Sequence, residues 1–328
     1  MNLKYTQLED IKESSELLNL ELKNNNGKGN ENRYQSLFIN NPNPYVDGGS
    51  GIYVCKDGEK IVGKEHTIST KIRIKDVIYN ASLSCDTVVD EEYRGQKIFI
   101  NLLEYTTNEL RSKDVSLFYG FPNNNSMPGF IKYLNWEKIC DVYYYVKFLN
   151  YKSNDNFIKK VTKKILSLNT FILKTRVKII KVTQFDHNLT NIIKGSHRNY
   201  SYIYKDVNYL NWRYSSNTFI KYDLFHIYDL NELVGYVVLS NMKGELKIID
   251  FIILDDNILY FKGMINNLLA MYKDCFSISL LCTEDSWYKK VIKSSLFIEN
   301  GKSSFCGNHL KDIPKTDWVV HYGDNDVN

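Results

Sequence analysis

The chain has 328 residues, a length that suits two domains or one large one. Hydrophobic residues make up 43% and charged residues 24%, which supports a sizeable core and excludes wholesale disorder. Lys+Arg 42 against Asp+Glu 38 leaves only +4, too even for a dedicated nucleic-acid binder or a polybasic membrane protein.

Met1 to Ser14 is polar, with no apolar run of signal-peptide length. No stretch approaches the roughly 20 apolar residues of a membrane helix, so no membrane span is expected. Cys55, Cys85, Cys140, Cys275, Cys282 and Cys306 form no CxxC pair and no zinc-ligand spacing with His. The expectation is a cytoplasmic protein with reduced thiols and no bound metal.

Glu9 to Lys23 reads as a helix, with Ile11, Leu17, Leu18 and Leu22 on one face. A Gly/Asn-rich break follows, then a short helix over Arg33 to Asn40 that Asn41-Pro42-Asn43-Pro44 stops. Strands are expected over Gly51 to Cys55, from Ile61 onward, over Lys71 to Ile78 and over Ala81 to Val89. An acidic turn, Asp90-Glu91-Glu92, leads to Tyr93-Arg94-Gly95 and into a helix. Ile98, Phe99, Leu102, Leu103, Thr106 and Leu110 fall there at helical spacing. Val115 to Phe121 is a strand, Phe130 and Leu134 mark a short helix, and Asp141 to Leu149 is a Tyr-rich strand. The strand-helix-strand passage is a βαβ unit, which with the earlier strands makes an α/β (α+β) mixed sheet.

Tyr151 to Thr175 reads as a basic amphipathic linker helix, most simply an interdomain helix with a solvated face. The second half then follows a similar order. Strands are expected over Arg176 to Phe185, Leu224 to Tyr228, Leu233 to Val238 and Ile248 to Leu254, and a helix over Leu259 to Met271. Gly63 and Gly235, and Arg33-Tyr34 and Arg213-Tyr214, recur at nearly the same separation, which suggests two copies of one fold. The division expected is a domain over 1–150, a linker over 151–175 and a second domain over 176–328.

The chemistry concentrates in Val88-Val89-Asp90-Glu91-Glu92-Tyr93-Arg94-Gly95-Gln96-Lys97-Ile98-Phe99. A strand joined to a helix by a tight turn leaves the first-turn amides unpaired, and the helix dipole favours an anion there. Arg94 and Lys97 add positive charge, so a phosphate or pyrophosphate would fit. The plainer reading is a helix start with a solvated arginine. No GxSxG, Walker A or HExxH signature is present. Asp324 and Asp326, near the end, read as a solvated tail rather than a Ca²⁺ site.

This segment resembles motif A of the GNAT acyltransferases, Arg/Gln-x-x-Gly-x-Gly/Ala between a strand and a helix. Lys97 stands at the first motif glycine and Phe99 at the second small position. Phe118 to Asn123 and Gly129 to Trp136 are similar to the strand and helix that end that fold. Ile131 falls where the family's acid tyrosine often lies.

The resemblance implies direct acyl transfer from acetyl-CoA, as co-substrate, to the amine of a small polar acceptor such as an amino sugar, an antibiotic or an amino-acid conjugate. It implies cofactor contacts at Val88, Val89, Arg94, Gly95, Gln96, Lys97, Ile98, Phe99, Asn124 and Asn125. Asp86, Tyr119 and Tyr133 are the candidates for proton transfer, with Glu65 and His66 as further bases. No nucleic-acid partner is expected. In the second half, Asp255-Asp256-Asn257 replaces the Arg-Gly turn, and two carboxylates would repel a pyrophosphate. That half is expected not to bind CoA and to shape an acceptor pocket at the domain interface. The alternatives are an aminoacyl transferase of the peptidoglycan-bridge kind and a degenerate GNAT that senses CoA or binds a partner without turnover.

Overall fold

The computed structural model describes residues 2–8, 20, 41–43, 51–150, 176–217 and 220–325. The helices expected over 9–23 and 33–40, Arg33-Tyr34 and the linker helix over 151–175 lie outside the described residues, Leu20 excepted. The chain forms two compact units. One comprises Met1–Arg73, Val77–Ile139 and Ser304–Lys315. The other comprises Ile74–Asp76, Cys140–Ser303 and Thr316–Asn328.

The first unit is a mixed sheet in the order β1 (Leu3–Gln7), β2 (Ile52–Asp57), β3 (Lys60–Ile74), β4 (Val77–Val89), β5 (Leu117–Gly120) and the Ser304–His309 part of a late strand, β13 (Ile298–His309). β1 with β2 and β2 with β3 are antiparallel, and β4 with β5 is parallel. The crossover between β4 and β5 is α1 (Ile98–Ser112), which buries Ile98, Leu102, Leu103, Thr106, Thr107 and Leu110 on one face. The buried Thr106 and Thr107 hydroxyls donate back to Leu102 O at 2.9 Å and Leu103 O at 2.7 Å, so neither is left unsatisfied. Gly63 on β3 lets α1 come close, since a Cβ there would stand 2.8 Å from Ile98 Cγ2. A short helix, α2 (Met127–Tyr133), packs Phe130 with Phe118, Leu134 and Trp136.

The second unit repeats this strand order. β7 (Val177–Val182), β9 (Asp223–Asp229), β10 (Glu232–Met242) and β11 (Glu245–Ile253) are antiparallel neighbours. β12 (Ser277–Thr283) lies parallel to β11 across α5 (Ile258–Met271). The sheet closes on the Val142–Phe148 part of β6 (Glu137–Phe148), antiparallel to β12. Further elements are α3 (Leu189–Gly195), β8 (Ser201–Tyr204), α4 (Val207–Leu210), α6 (Lys289–Ser294) and β14 (Trp318–Val319), which pairs with β8.

Chain order and unit membership part company at the sheet ends. Residues 140–148 complete the second unit, and 304–309 complete the first by pairing with β5. Gly63 and Gly235 occupy the same kind of place. In each case the preceding residue, Val62 or Val234, is bulged out of the ladder.

The strand expected over Lys71 to Ile78 is corrected. β3 ends at Ile74, Lys75-Asp76 turns the chain with Lys75 at φ 55°, and β4 begins at Val77. A lysine in the left-handed region gave no glycine or asparagine to mark the turn. Among the described residues, no helix is long and apolar enough to cross a membrane.

Candidate active site

The path from β4 to α1 is built by local bonds. Val88 and Val89 point to opposite faces of the sheet, Val88 toward Leu8, Ile52 and Val54, and Val89 toward Cys55 and Ile98. Asp90 is buried, and its Oδ1 accepts from Glu92 N at 3.1 Å, which caps the 3₁₀ turn Glu91–Tyr93. Lys60 Nζ stands 3.4 Å from Asp90 and 3.5 Å from Glu92, and Tyr93 OH donates to Asp57 at 3.2 Å. The acidic stretch is thus spent on the turn itself.

Arg94 is extended and Gly95 takes φ 82°, which turns the chain through a conformation that suits glycine. A Cβ on Gly95 would meet nothing within 4 Å, so the backbone is open to a bulky ligand. Lys97 caps the helix at φ 60° and makes no side-chain cap bond; the first turn of α1 holds no acid. The amides of Ile98, Phe99 and Ile100 belong to the orphan set of a helix start, and Arg94, Gln96 and Lys97 beside them are exposed. The geometry fits a pyrophosphate. The left-handed φ of Lys97 also explains why a glycine is usual at such a position. Phe99 packs its ring edge-on against Phe130 at 5.4 Å and against Gly129, so its side chain serves the α1–α2 contact.

Earlier on the same strand, Asp86 takes φ 52° within β4. This irregularity puts Ser84 and Thr87 on the same face, and both hydroxyls donate to Glu65, Ser84 at 2.6 Å to Oε1 and Thr87 to Oε2. Glu65 is fully buried, and burial pushes its carboxyl up to about 8 although the two hydroxyls and Lys64 pull the other way. Asp86 Oδ2 lies 3.7 Å from Nδ1 of the buried His66, with the Asp86 side chain 20% exposed.

The structure therefore brings Asp86, Glu65 and His66 together. Tyr119 is buried in β5 opposite Leu83, the last parallel pair before β4 and β5 part, with its ring 5.4 Å from Phe305. Tyr133 lies apart, 55% exposed at the end of α2 with Lys132 Nζ 5.1 Å over its ring. Asn124 and Asn125 lie in the exposed turn before α2, where Asn123 Oδ1 accepts from Asn125 N at 2.9 Å and from Ser126 N at 3.0 Å. Ser84 and Thr87 had no sequence signal, because their three-residue spacing shares a face only through the kink at Asp86. A pocket of about 590 Å³ lined by Arg111, Asn308, His309 and Lys311 opens at the far end of α1, about 20 Å along the helix. Among the described residues no group of three or more His, Cys, Asp or Glu could hold a metal ion.

The matching turn of the second unit is built differently. Asp255 and Asp256 take φ 53° and 52°. Asn257 caps α5, its Oδ1 accepting from Leu259 N at 2.8 Å. Asp256 Oδ1 accepts from His197 N at 3.2 Å and lies 2.6 Å from His197 Nδ1. Behind it, Asp250 on β11 lies 3.0 Å from Lys205 Nζ and 3.0 Å from His321 Nδ1, and accepts from Tyr214 OH at 2.8 Å. Burial opposes ionisation, but Lys205 and then His321 hold the Asp250 carboxyl well below the usual range. Asp324 also binds Lys205 and is buried, so the solvated tail expected around it is corrected: its charge is matched by a buried ammonium.

Residues 4–139 match the family model of the acetyltransferase (GNAT) domain. No curated protein matches the chain by sequence. Solved structures share the fold at low identity. A conserved Enterococcus faecalis protein of unknown function, a probable N-acyltransferase, superposes with a TM-score of 0.72 at 12% identity, covering 95% of this chain and 73% of its own. A GCN5-related N-acetyltransferase from Anabaena variabilis gives 0.66 at 11% identity, covering 94% and 73%. Another from Kribbella flavida gives 0.65 at 10%, covering 93% and 70%.

Proposed function

We propose that this chain, which carries a GNAT acetyltransferase domain over residues 4–139, transfers an acetyl group from acetyl-CoA to the amine of a small polar acceptor. The observation that carries the reading is the β4–Gly95–α1 turn, with its uncapped helix start and adjacent Arg94 and Lys97. The amides of Ile98, Phe99 and Ile100, with Arg94, Gln96 and Lys97, would hold the pyrophosphate. Asn124 and Asn125 would flank the pantetheine arm. Acetyl-CoA supplies the activated acyl group.

The chain's own residues supply position and proton transfer. Backbone N–H groups at Val88 and Val89 would polarise the thioester carbonyl. The amine nitrogen forms the new C–N bond as the C–S bond breaks, and the amine proton passes to a carboxylate. Asp86 is the proposed acceptor because it is the partly exposed carboxylate of the cluster. Glu65 is held neutral below about pH 8 and acts as its buried neighbour. The departing thiolate needs little acid help, since a thiol titrates at about 8.5. Tyr119 stands where β4 and β5 part and is the better placed of the two tyrosines to protonate it.

Isothermal titration with acetyl-CoA tests the reading; a folded chain that binds none at millimolar ligand refutes it. Thiol release against a panel of amines separates turnover from CoA binding alone, the alternative favoured by Lys97 at the motif position and by the exposed Tyr133.

A further inference from the structure

In the second unit, β11 and β12 pair in parallel only from Glu245/Ser277 to Lys247/Ser279. Beyond that pair the chain's own residues 316–325 lie against both strands. Tyr322 sits at the fork, with Lys247 Nζ 5.4 Å over its ring and Tyr144 6.0 Å away. On the β12 side Thr283 Oγ1 donates to Trp318 O, and on the β11 side His321 reaches Asp250. The segment pairs with β8 as a peptide strand, Trp318 with Ser201 and Val319 with Tyr202. Ser201 N donates to Asp317 O at 2.7 Å. Trp318, Val319, Val320, His321, Tyr322 and Asp324 are all buried.

Two features read the sequence of this segment. Asp324 is bound by Lys205, a buried cation that also serves Asp250, and its Oδ2 accepts from His321 N at 2.7 Å. Gly323 fits a notch in which any Cβ would stand 2.0 Å from Tyr214 OH and 3.3 Å from Ile249 O. Arg213 closes the far end by donating to Asn325 O at 2.8 Å.

We infer that the fork of the second unit is a peptide-binding site whose occupant is the chain's own segment 316–325, selected by Lys205 through Asp324 and by the Gly323 notch. The ligand class is an extended peptide with an aromatic–Gly–Asp sequence, held by main-chain bonds on one side and one buried charge on the other. The inference stands without the cofactor reading of the first unit.

Hydrogen–deuterium exchange of the full chain tests it. In the unaltered protein the amides of 318–324 exchange slowly. In Gly323→Ala and, separately, Lys205→Met their exchange quickens at least tenfold more than that of the amides of β9 and β10. A synthetic peptide of residues 316–325 then binds the Gly323→Ala chain and not the unaltered one. Rapid exchange of the segment in the unaltered protein would overturn the inference. So would unchanged protection in both variants, or loss of protection only together with β9 and β10. Failure of the peptide to bind a Gly323→Ala chain whose segment has been released would do the same.

Discussion

The two strand-to-helix turns share one topology and differ in what their helix starts are bonded to. At α1 the N-cap is Lys97, no side chain caps the amides, and the flanking charges are Arg94 and Lys97. At α5 the side chain of Asn257 caps the helix and the flanking charges are Asp255 and Asp256. A helix N-terminus is an anion site only while its amides and dipole are left to a ligand. Two or three residues at the helix start thus reverse the charge presented there on a shared topology.

The largest effect that would break the comparison lies behind the second turn. Lys205→Met leaves Asp250 and Asp324 buried without their cation and should cost about 3–5 kcal/mol in denaturant unfolding. Replacing the exposed Lys60 at the first turn by Met should leave stability nearly unchanged. Equal losses would mean that the second turn is no better anchored than the first.

Next is the pH dependence carried by Glu65. Its carboxyl stays protonated in the fold up to about 8 and is ionised in the unfolded chain above about 4.5. The unfolded chain therefore binds fewer protons in that window, and stability falls as pH rises through it, by up to about 1.4 kcal/mol per pH unit. Unfolding at pH 5, 6.5 and 8 should show this decline, and Glu65→Gln should flatten it. A decline that persists in Glu65→Gln belongs to another group.

Ligand binding sharpens the contrast directly. Arg94→Ala should weaken acetyl-CoA affinity about tenfold, the worth of one charge-assisted contact. Asp255→Ala should leave it unchanged, as read by calorimetry. The smallest effect is at the cap. Lys97→Gly removes a left-handed non-glycine residue and should stabilise the fold by about 1 kcal/mol in thermal unfolding. Phe99→Ala is not equivalent, because Phe99 packs on Phe130 and its loss should destabilise.

Much of this fold was legible in the residues. The apolar spacing of Ile98, Leu102, Leu103 and Leu110 predicts α1, which begins at Ile98 after Gly95. The motif residues from Val88 to Phe99 do lie on one strand, one turn and one helix start. The β3–β4 hairpin was hidden because Lys75, not a glycine or asparagine, takes the left-handed position of its turn. The place of Asp324 was hidden because a Gly-Asp-Asn-Asp ending looks solvated until Lys205 is known to lie beside it. Glu65 reads in the sequence as a polar strand residue and candidate base, but its raised carboxyl depends on complete burial beneath Ser84 and Thr87.

Periodicity and turn chemistry act over a few residues, so the sequence by itself determined the mixed sheet, the helix that follows Gly95 and the positive charge beside its start. The tertiary structure alone decided what is paired over long separations. It set which strand completes each sheet, with 304–309 on β5 and 140–148 beside β12. It also set which buried charges meet, as Lys205 meets Asp250 and Asp324. Those pairings depend on burial and on partners distant in the chain, and neither is written in its local order.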